Sequence, residues 1–245
     1  MRQYYIPLLS ENLSENADAI MASYEVEGIE LFYPWPLHKP RSLFTLAFIA
    51  AGIDGIAVSF CAEAPKNKLL SKKTSHKMRV FEDDCLEFFI RPEESDIYYG
   101  FEFNSKGFLL DYRCGIGEKG KQLILDSIDE KNKKIVQDTD AIVSGCSEAK
   151  NGDEILFFDY SWKSNALITN DIEDEFWYAE LFIPWGDFGL KDFDYTSLDK
   201  KIWSFTCNRI DNPGNGIQGY QTLISSSEKV SFHQPELFAK ALFEN

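Results

Sequence analysis

Short runs of apolar and aromatic residues recur along most of the chain, divided by turn-forming pairs. LFTLAFIAA (43–51) and IAVSFCAEA (56–64) flank Asp54-Gly55 and read as a β-hairpin, because Asp-Gly tolerates the positive φ angles of a tight turn. CLEFFIRP (85–92), YYGFEFNS (98–105) and GFLLDYRC (107–114) follow, punctuated by Pro92, the acidic stretch 93–96 and Lys106-Gly107, and read as three more strands. FWYAELFIP (176–184), IWSFTCNRI (202–210), YQTLIS (220–225) and FAKALF (238–243) extend the pattern. PWGDFGL (184–190) predicts one helical turn, with Pro184 at its first position, where a missing N–H costs nothing. Ala17, Ile20, Met21 and Tyr24 are spaced for a short amphipathic helix over 14–24 behind a Ser14 cap.

The middle of the chain is less regular. KQLILDSI (121–128) and AIVSGCSEA (141–149) read as strands, and residues 154–170 lack a clear period and read as an insertion. Residues 65–79 are polar, contain the only basic cluster and predict an exposed loop. No repeat, low-complexity tract or Gly/Ser linker divides the sequence, so the expectation is one all-β domain over 1–245, a sandwich of two antiparallel sheets with a short N-terminal helix.

The formal charge of −15 argues against nucleic acid and anionic membranes as partners. The same acidity suits calcium. Asp83 and Asp84, with Asp54 or the 93–96 run, are the candidates, although no Asp-x-Asp-x-Asp-Gly loop occurs. The cysteines, at 61, 85, 114, 146 and 207, have no Cys-x-x-Cys spacing, and Cys85 and Cys207 read as small buried hydrophobes. His76 with Met78 is a slight haem signal. Gly115, Gly117 and Gly120 do not complete a dinucleotide fingerprint, since the spacing is wrong and no helix is expected after them. The N-terminus lacks a secretory pattern and no stretch approaches the roughly 20 apolar residues of a membrane span. The expectation is a cytoplasmic protein, or a chain that begins after processing.

Four ordered segments carry a resemblance: FEDDCLEFFIRP (81–92) with YYGFEFNSKG (98–107), WYAELFIPWGDFGL (177–190), WSFTCNRID (203–211) and FHQPELFAKALF (232–243). Together they resemble the family 9 carbohydrate-binding modules and their DOMON-like relatives. The resemblance implies an immunoglobulin-like β-sandwich without catalytic activity of its own, of a kind associated with glycoside hydrolases such as endo-xylanases. It implies a slot in which the end of a glycan lies between two aromatic rings. Sugars suit such a slot because their C–H faces stack on rings while their hydroxyls need charged or amide partners.

By that resemblance Phe81 stands where one stacking aromatic, usually Trp, precedes the strand, and Phe232 stands where the second does, with Ala239 in place of the usual Gly. Both platforms are smaller than Trp. Glu87, Asn104 and Asn208 match the family's hydroxyl-binding positions, and Glu102 falls where some relatives carry an Arg. Arg209 is the candidate replacement, provided that the pleat turns it to the same face. His233, beside Phe232, is a candidate to hydrogen-bond the sugar.

Each residue also has a plainer reading. With 20 Phe in the chain, Phe81 and Phe232 suit core packing equally. Glu87 and Glu102 interrupt apolar strands, so each faces either water or a cleft. Asn104 suits a turn, whereas Asn208 lies mid-strand, where Asn is disfavoured. Trp185 and Trp203 are assigned to the core, and Trp35 and Trp162 to an exposed secondary platform. Two other functions remain open: a glycoside hydrolase using Glu87 and Glu102 as its carboxylate pair, and a structural or protein-binding sandwich with a degenerate slot.

Overall fold

The computed structural model describes residues 2–64, 69–135, 142–152, 154–225 and 227–244. The strands among them are β1 (Gln3–Pro7), β2 (Ile29–Glu30), β3 (Thr45–Ala51), β4 (Gly55–Glu63), β5 (Cys85–Arg91), β6 (Ile97–Asn104), β7 (Leu109–Ile116), β8 (Cys146–Asn151), β9 (Glu154–Asp159), β10 (Leu167–Glu173), β11 (Phe176–Pro184), β12 (Ile202–Asp211), β13 (Gly219–Thr222) and β14 (Ala239–Glu244). Two α-helices accompany them, α1 (Ala17–Ser23) and α2 (Gly117–Ser127). The larger sheet runs β1-β14-β12-β5-β6-β7-β9-β8, with β13 also paired to β12, and the smaller runs β10-β11-β4-β3-β2. The β1–β14 pair is parallel, and the other named pairs are antiparallel. The result is the expected β-sandwich.

Alternation along the strands decides which side chains meet. From the larger sheet Leu86, Phe88, Ile90, Phe101, Phe103, Phe205 and Cys207 face inward, where they meet Ile49, Val58, Phe60, Trp177 and Leu181 of the smaller sheet. Each such ring or branched chain gains about 1.5–3 kcal/mol on burial. Trp185 and Trp203 join this core as expected. The intervening residues of the same strands, among them Phe89, Tyr98, Leu110, Tyr112 and Ile210, form a second apolar cluster on the outer face. Trp35, Val80, Phe232 and Phe238 from connecting segments cover that face. The larger sheet is therefore buried on both sides at its centre, and polar residues there are enclosed as well.

Several sequence expectations need correction. KQLILDSI lies within α2 and the segment following it rather than in a strand. Ile124 is buried there with Cys146 and Phe157, and Leu125 and Ile128 pack partly against them, while Leu123 is exposed. The 124/128 spacing is helical, and the short window hid it. A helix does therefore follow Gly115. The glycines allow its close approach, since a Cβ on Gly115 would lie 2.4 Å from the carbonyl carbon of Gly120. Residues 154–170 are not an insertion but hold β9 and the start of β10. The strand expected over 141–149 begins only at Cys146, and Ala141 lies outside the described residues, as do residues 65–68 of the basic loop.

The cap of α1 is Asn16, whose side chain accepts from the Ala19 N–H at 3.2 Å, and not Ser14. The Ser14 N–H instead donates to Asp54, which also accepts from Leu13. Asp54-Gly55 does close the β3–β4 hairpin, but neither residue has a positive φ. Gly55 is required for space, as a Cβ there would sit 2.3 Å from the Ile183 carbonyl oxygen. Pro184 caps the turn Trp185–Phe188 from one position earlier than expected. The short β1 and β2 were not foreseen in the sequence, because neither has an alternating run long enough to read.

Candidate functional site

A cavity of about 370 Å³ opens on the outer face of the larger sheet, within the size range of small-ligand pockets. Phe81, Glu87, Glu102, Phe232 and His233 all line it. They come from a turn before β5, from β5, from β6 and from the segment before β14, so folding brings distant parts of the chain together. Exposed Val230 and Ala149 line it too, which opens it to solvent. A second cavity, about 470 Å³, lies beneath α1 and is lined by Met21, Phe48, Ser59 and Tyr178 among others. None of the ligand-binding candidates named from the sequence reaches that one.

Glu87 and Glu102 are directly opposite each other on antiparallel β5 and β6, which sets their Cβ atoms about 4.5–5.5 Å apart. Both are almost fully buried, at 2% and 3% exposure. Glu87 Oε2 accepts from the Asn208 amide at 3.3 Å, and Glu102 Oε1 accepts from the Tyr112 hydroxyl at 2.8 Å. Glu102 Oε2 has no protein partner among the described residues. Burial raises both carboxyls above the usual carboxylate range, and the neighbouring Glu102 charge pushes Glu87 further the same way. The pair holds on to protons that an exposed pair would release.

Tyr112 reaches Glu102 because Gly100 leaves room for its ring. A Cβ on Gly100 would lie 2.2 Å from the ring carbon that bears the hydroxyl. Gly100→Ala is expected to cost about 1–3 kcal/mol through overpacking and to weaken ligand binding by displacing Tyr112 from Glu102. Denaturant unfolding and calorimetry check both. An unchanged midpoint would show that the sheet absorbs the methyl group.

The walls are aromatic. Trp35, Tyr220 and Phe232 form one side, with ring centroids 5.9 Å apart for Trp35 and Phe232 and 5.5 Å for Tyr220 and Phe232. Phe158 and Tyr160 stack in parallel at 5.9 Å and line it as well. Phe81 is half-buried, and Phe232 is 7% exposed. His233 stacks on Phe89 at 5.0 Å, and its Nδ1 pairs with the Tyr98 hydroxyl at 2.8 Å. Burial among these rings, with a smaller push from Lys229, lowers the imidazole to about 4, so it stays neutral at physiological pH.

Other expected residues stand elsewhere. Asn208 sits beside Glu87 on the neighbouring strand, with its Oδ1 accepting from Thr206 and Thr222, and does not line the cavity. Asn104 forms a turn: its Oδ1 accepts from the Lys106 and Phe108 N–H groups, and its amide donates to Lys73 and Asp83. Arg209 neighbours Asn208 in the strand, so the pleat sends it to the opposite face. There it is fully buried between the sheets and donates to Thr45 Oγ1 and the Glu63 carbonyl. It cannot replace a ligand-binding Arg at this cavity. Trp35 is no exposed platform either, being 6% exposed within the cavity wall, and Trp162 packs against Tyr99 and Phe101.

The calcium candidates have protein donors. Asp83 Oδ2 accepts from the Lys73 N–H and the Asn104 amide, and Asp84 accepts from the Leu70 and Asn212 N–H groups. Burial raises Asp84 to about 7. Among the described residues no group of three or more His, Cys, Asp or Glu side chains is placed to hold a metal. His76 Nδ1 accepts from the Leu109 N–H, an arrangement that fixes the ring against the sheet.

A sequence model of the family described as carbohydrate-binding family 9 matches residues 38–152. That stretch is similar to carbohydrate-binding family 9. The matched stretch takes in Phe81, Glu87, Glu102 and Asn104 and ends before Asn208 and Phe232. Solved structures share the fold of this chain over nearly the whole length. A candidate carbohydrate-binding protein from Bacteroides uniformis is 17% identical, with a TM-score of 0.68 and 99% of each chain covered. A family 9 module from Caldicellulosiruptor kristjanssonii in complex with cellotriose is 11% identical, with a TM-score of 0.58, covering 100% of this chain and 94% of that one. A family 9 module from the same organism in complex with glucose is 10% identical, with a TM-score of 0.59, and coverage of 100% and 96%. Curated protein sequences yield no match to this chain.

Proposed function

We propose that the protein binds carbohydrate without transforming it, taking a small saccharide or the end of a glycan into the cavity on the outer face of the larger sheet. The observation that carries this reading is the convergence of Phe81 and Phe232, from opposite ends of the family-like region, on one cavity with Glu87 and Glu102. Aromatic walls suit the C–H faces of a sugar ring, and the carboxyl pair and His233 suit its hydroxyl edge. The cellotriose and glucose bound by the Caldicellulosiruptor modules are consistent with a glucose-type ligand. Hydrolysis is less well served. The two carboxyls are side by side on adjacent strands of one sheet face, whereas a hydrolytic pair flanks the scissile bond.

Calorimetry with glucose, cellotriose and a wider oligosaccharide panel tests the proposal. Binding to at least one is expected, and Phe81→Ala and Phe232→Ala are each expected to weaken it by about 1 kcal/mol or more. Silence across the panel would sink the proposal. Turnover of chromogenic glycosides that Glu87→Gln abolishes would replace binding with catalysis.

A further inference from the structure

The polar floor of the cavity is one-sided. Glu87 and Glu102 face each other across β5 and β6, both buried and both lining the cavity, and Glu102 Oε2 has no protein donor among the described residues. Among the described residues that line it there is no lysine or arginine. Arg209 is turned to the other face of the sheet. The Lys229 amine is engaged by the Lys150 carbonyl and the Asn151 side chain, and Arg79 lies close enough to Tyr160 to act on its hydroxyl without lining the cavity. Apart from Ser147, Ser231 and the neutral His233, what the pocket offers a ligand is carboxyl oxygens and the faces of aromatic rings.

A hydroxyl brings one donor and also lone pairs, which such a floor does not welcome. A protonated amine brings three donors, no acceptor and a positive charge. An ammonium beside the carboxyls stabilises their ionised form, so its binding releases protons that the empty pair holds. It then makes charge-assisted hydrogen bonds, which are the stronger kind, and rings such as Trp35 and Tyr220 attract a cation as well. We infer that the cavity selects an amino sugar, with the free ammonium of a hexosamine seated on Glu87 and Glu102 and the sugar ring against the aromatic walls. This assignment rests on the carbohydrate-binding reading and specifies the class of sugar. An N-acetyl group would remove the charge, and a uronic acid would bring a third carboxyl group to the buried pair and no cation to ionise it.

Calorimetry at neutral pH with glucosamine, glucose, N-acetylglucosamine and glucuronic acid tests the assignment. Glucosamine is expected to bind about tenfold or more tightly than glucose, with the other two weaker than glucose. Glu102→Gln and Glu87→Gln, confirmed as folded by circular dichroism, should each bring glucosamine and glucose to within about threefold. If glucosamine binds no better than glucose, or its advantage survives in both variants, the amino-sugar assignment is overturned while sugar binding stands. If none of these sugars nor any of the wider panel binds, the carbohydrate reading falls with it. The wild-type comparison decides the question even where a variant does not fold.

Discussion

Phe89→Ala is expected to lower the unfolding free energy by about 3–5 kcal/mol, and the melting temperature by on the order of 10 °C for a chain of this size. Phe89 is fully buried on the outer face of β5 and touches Tyr98, Tyr112, Phe238 and His233. Its removal leaves a ring-sized gap between the sheet and the segment that bears Phe232 and His233. Sugar affinity should fall too at temperatures where the variant stays folded, because His233 loses the ring it stacks on. Phe89→Leu refills much of the gap and should recover most of the stability. Thermal unfolding of the two variants measures this. A loss under about 1 kcal/mol for the alanine variant would mean that the covering segment collapses onto the sheet without penalty.

The second large effect is a dependence of stability on pH. Glu87, Glu102 and Asp84 all titrate higher in the folded protein than carboxyls usually do. Between the ordinary carboxylate range and the raised values the folded state binds more protons than the unfolded chain. Stability is therefore fully present below the ordinary range and is lost as the pH rises through the raised values. His233 works the other way, since its depressed imidazole costs stability as the pH falls below the ordinary histidine range toward 4. The carboxyls outnumber it, so these four groups together favour folding more at mildly acidic than at mildly alkaline pH. Each carboxyl in its titration range contributes about 1.4 kcal/mol per pH unit, roughly 3–6 °C in melting temperature. Melting curves from mildly acidic to mildly alkaline pH should fall accordingly, and a Glu87→Gln/Glu102→Gln double variant should lose most of that slope. A flat wild-type profile would show that the pair is already charged in the folded state.

Glu87 and Glu102 were legible because a single carboxyl inside a strongly apolar strand is costly and invites explanation, and alternation alone limits where it can face. Phe81 and Phe232 depended on the ordered family-like segments, since one phenylalanine among 20 has no local signature. For the same reason Tyr220, Phe158 and Tyr160 have no signature as cavity residues, and Trp35 reads as an exposed platform and not as part of the wall. Their meeting is a property of the tertiary fold, and Phe158 and Tyr160 belong to a stretch whose strand β9 is too short to display a period. Asn104 could be read as a turn residue or a ligand, and its hydrogen bonds favour the turn. Arg209 was conditional on a pleat whose phase becomes certain only when Asn208 is seen paired with Glu87. The helix α2 was lost because an apolar run of a few residues fits either period.

The parallel pairing of β1 with β14 bears on how the protein meets mechanical load. Gln3 to Pro7 run alongside Lys240 to Glu244 in the same direction. A pull applied toward opposite poles, at the start of β1 and the end of β14, therefore slides the two strands lengthwise against each other. All the rungs of that ladder share the strain together, whereas an antiparallel pair held at its open end would peel apart one rung at a time.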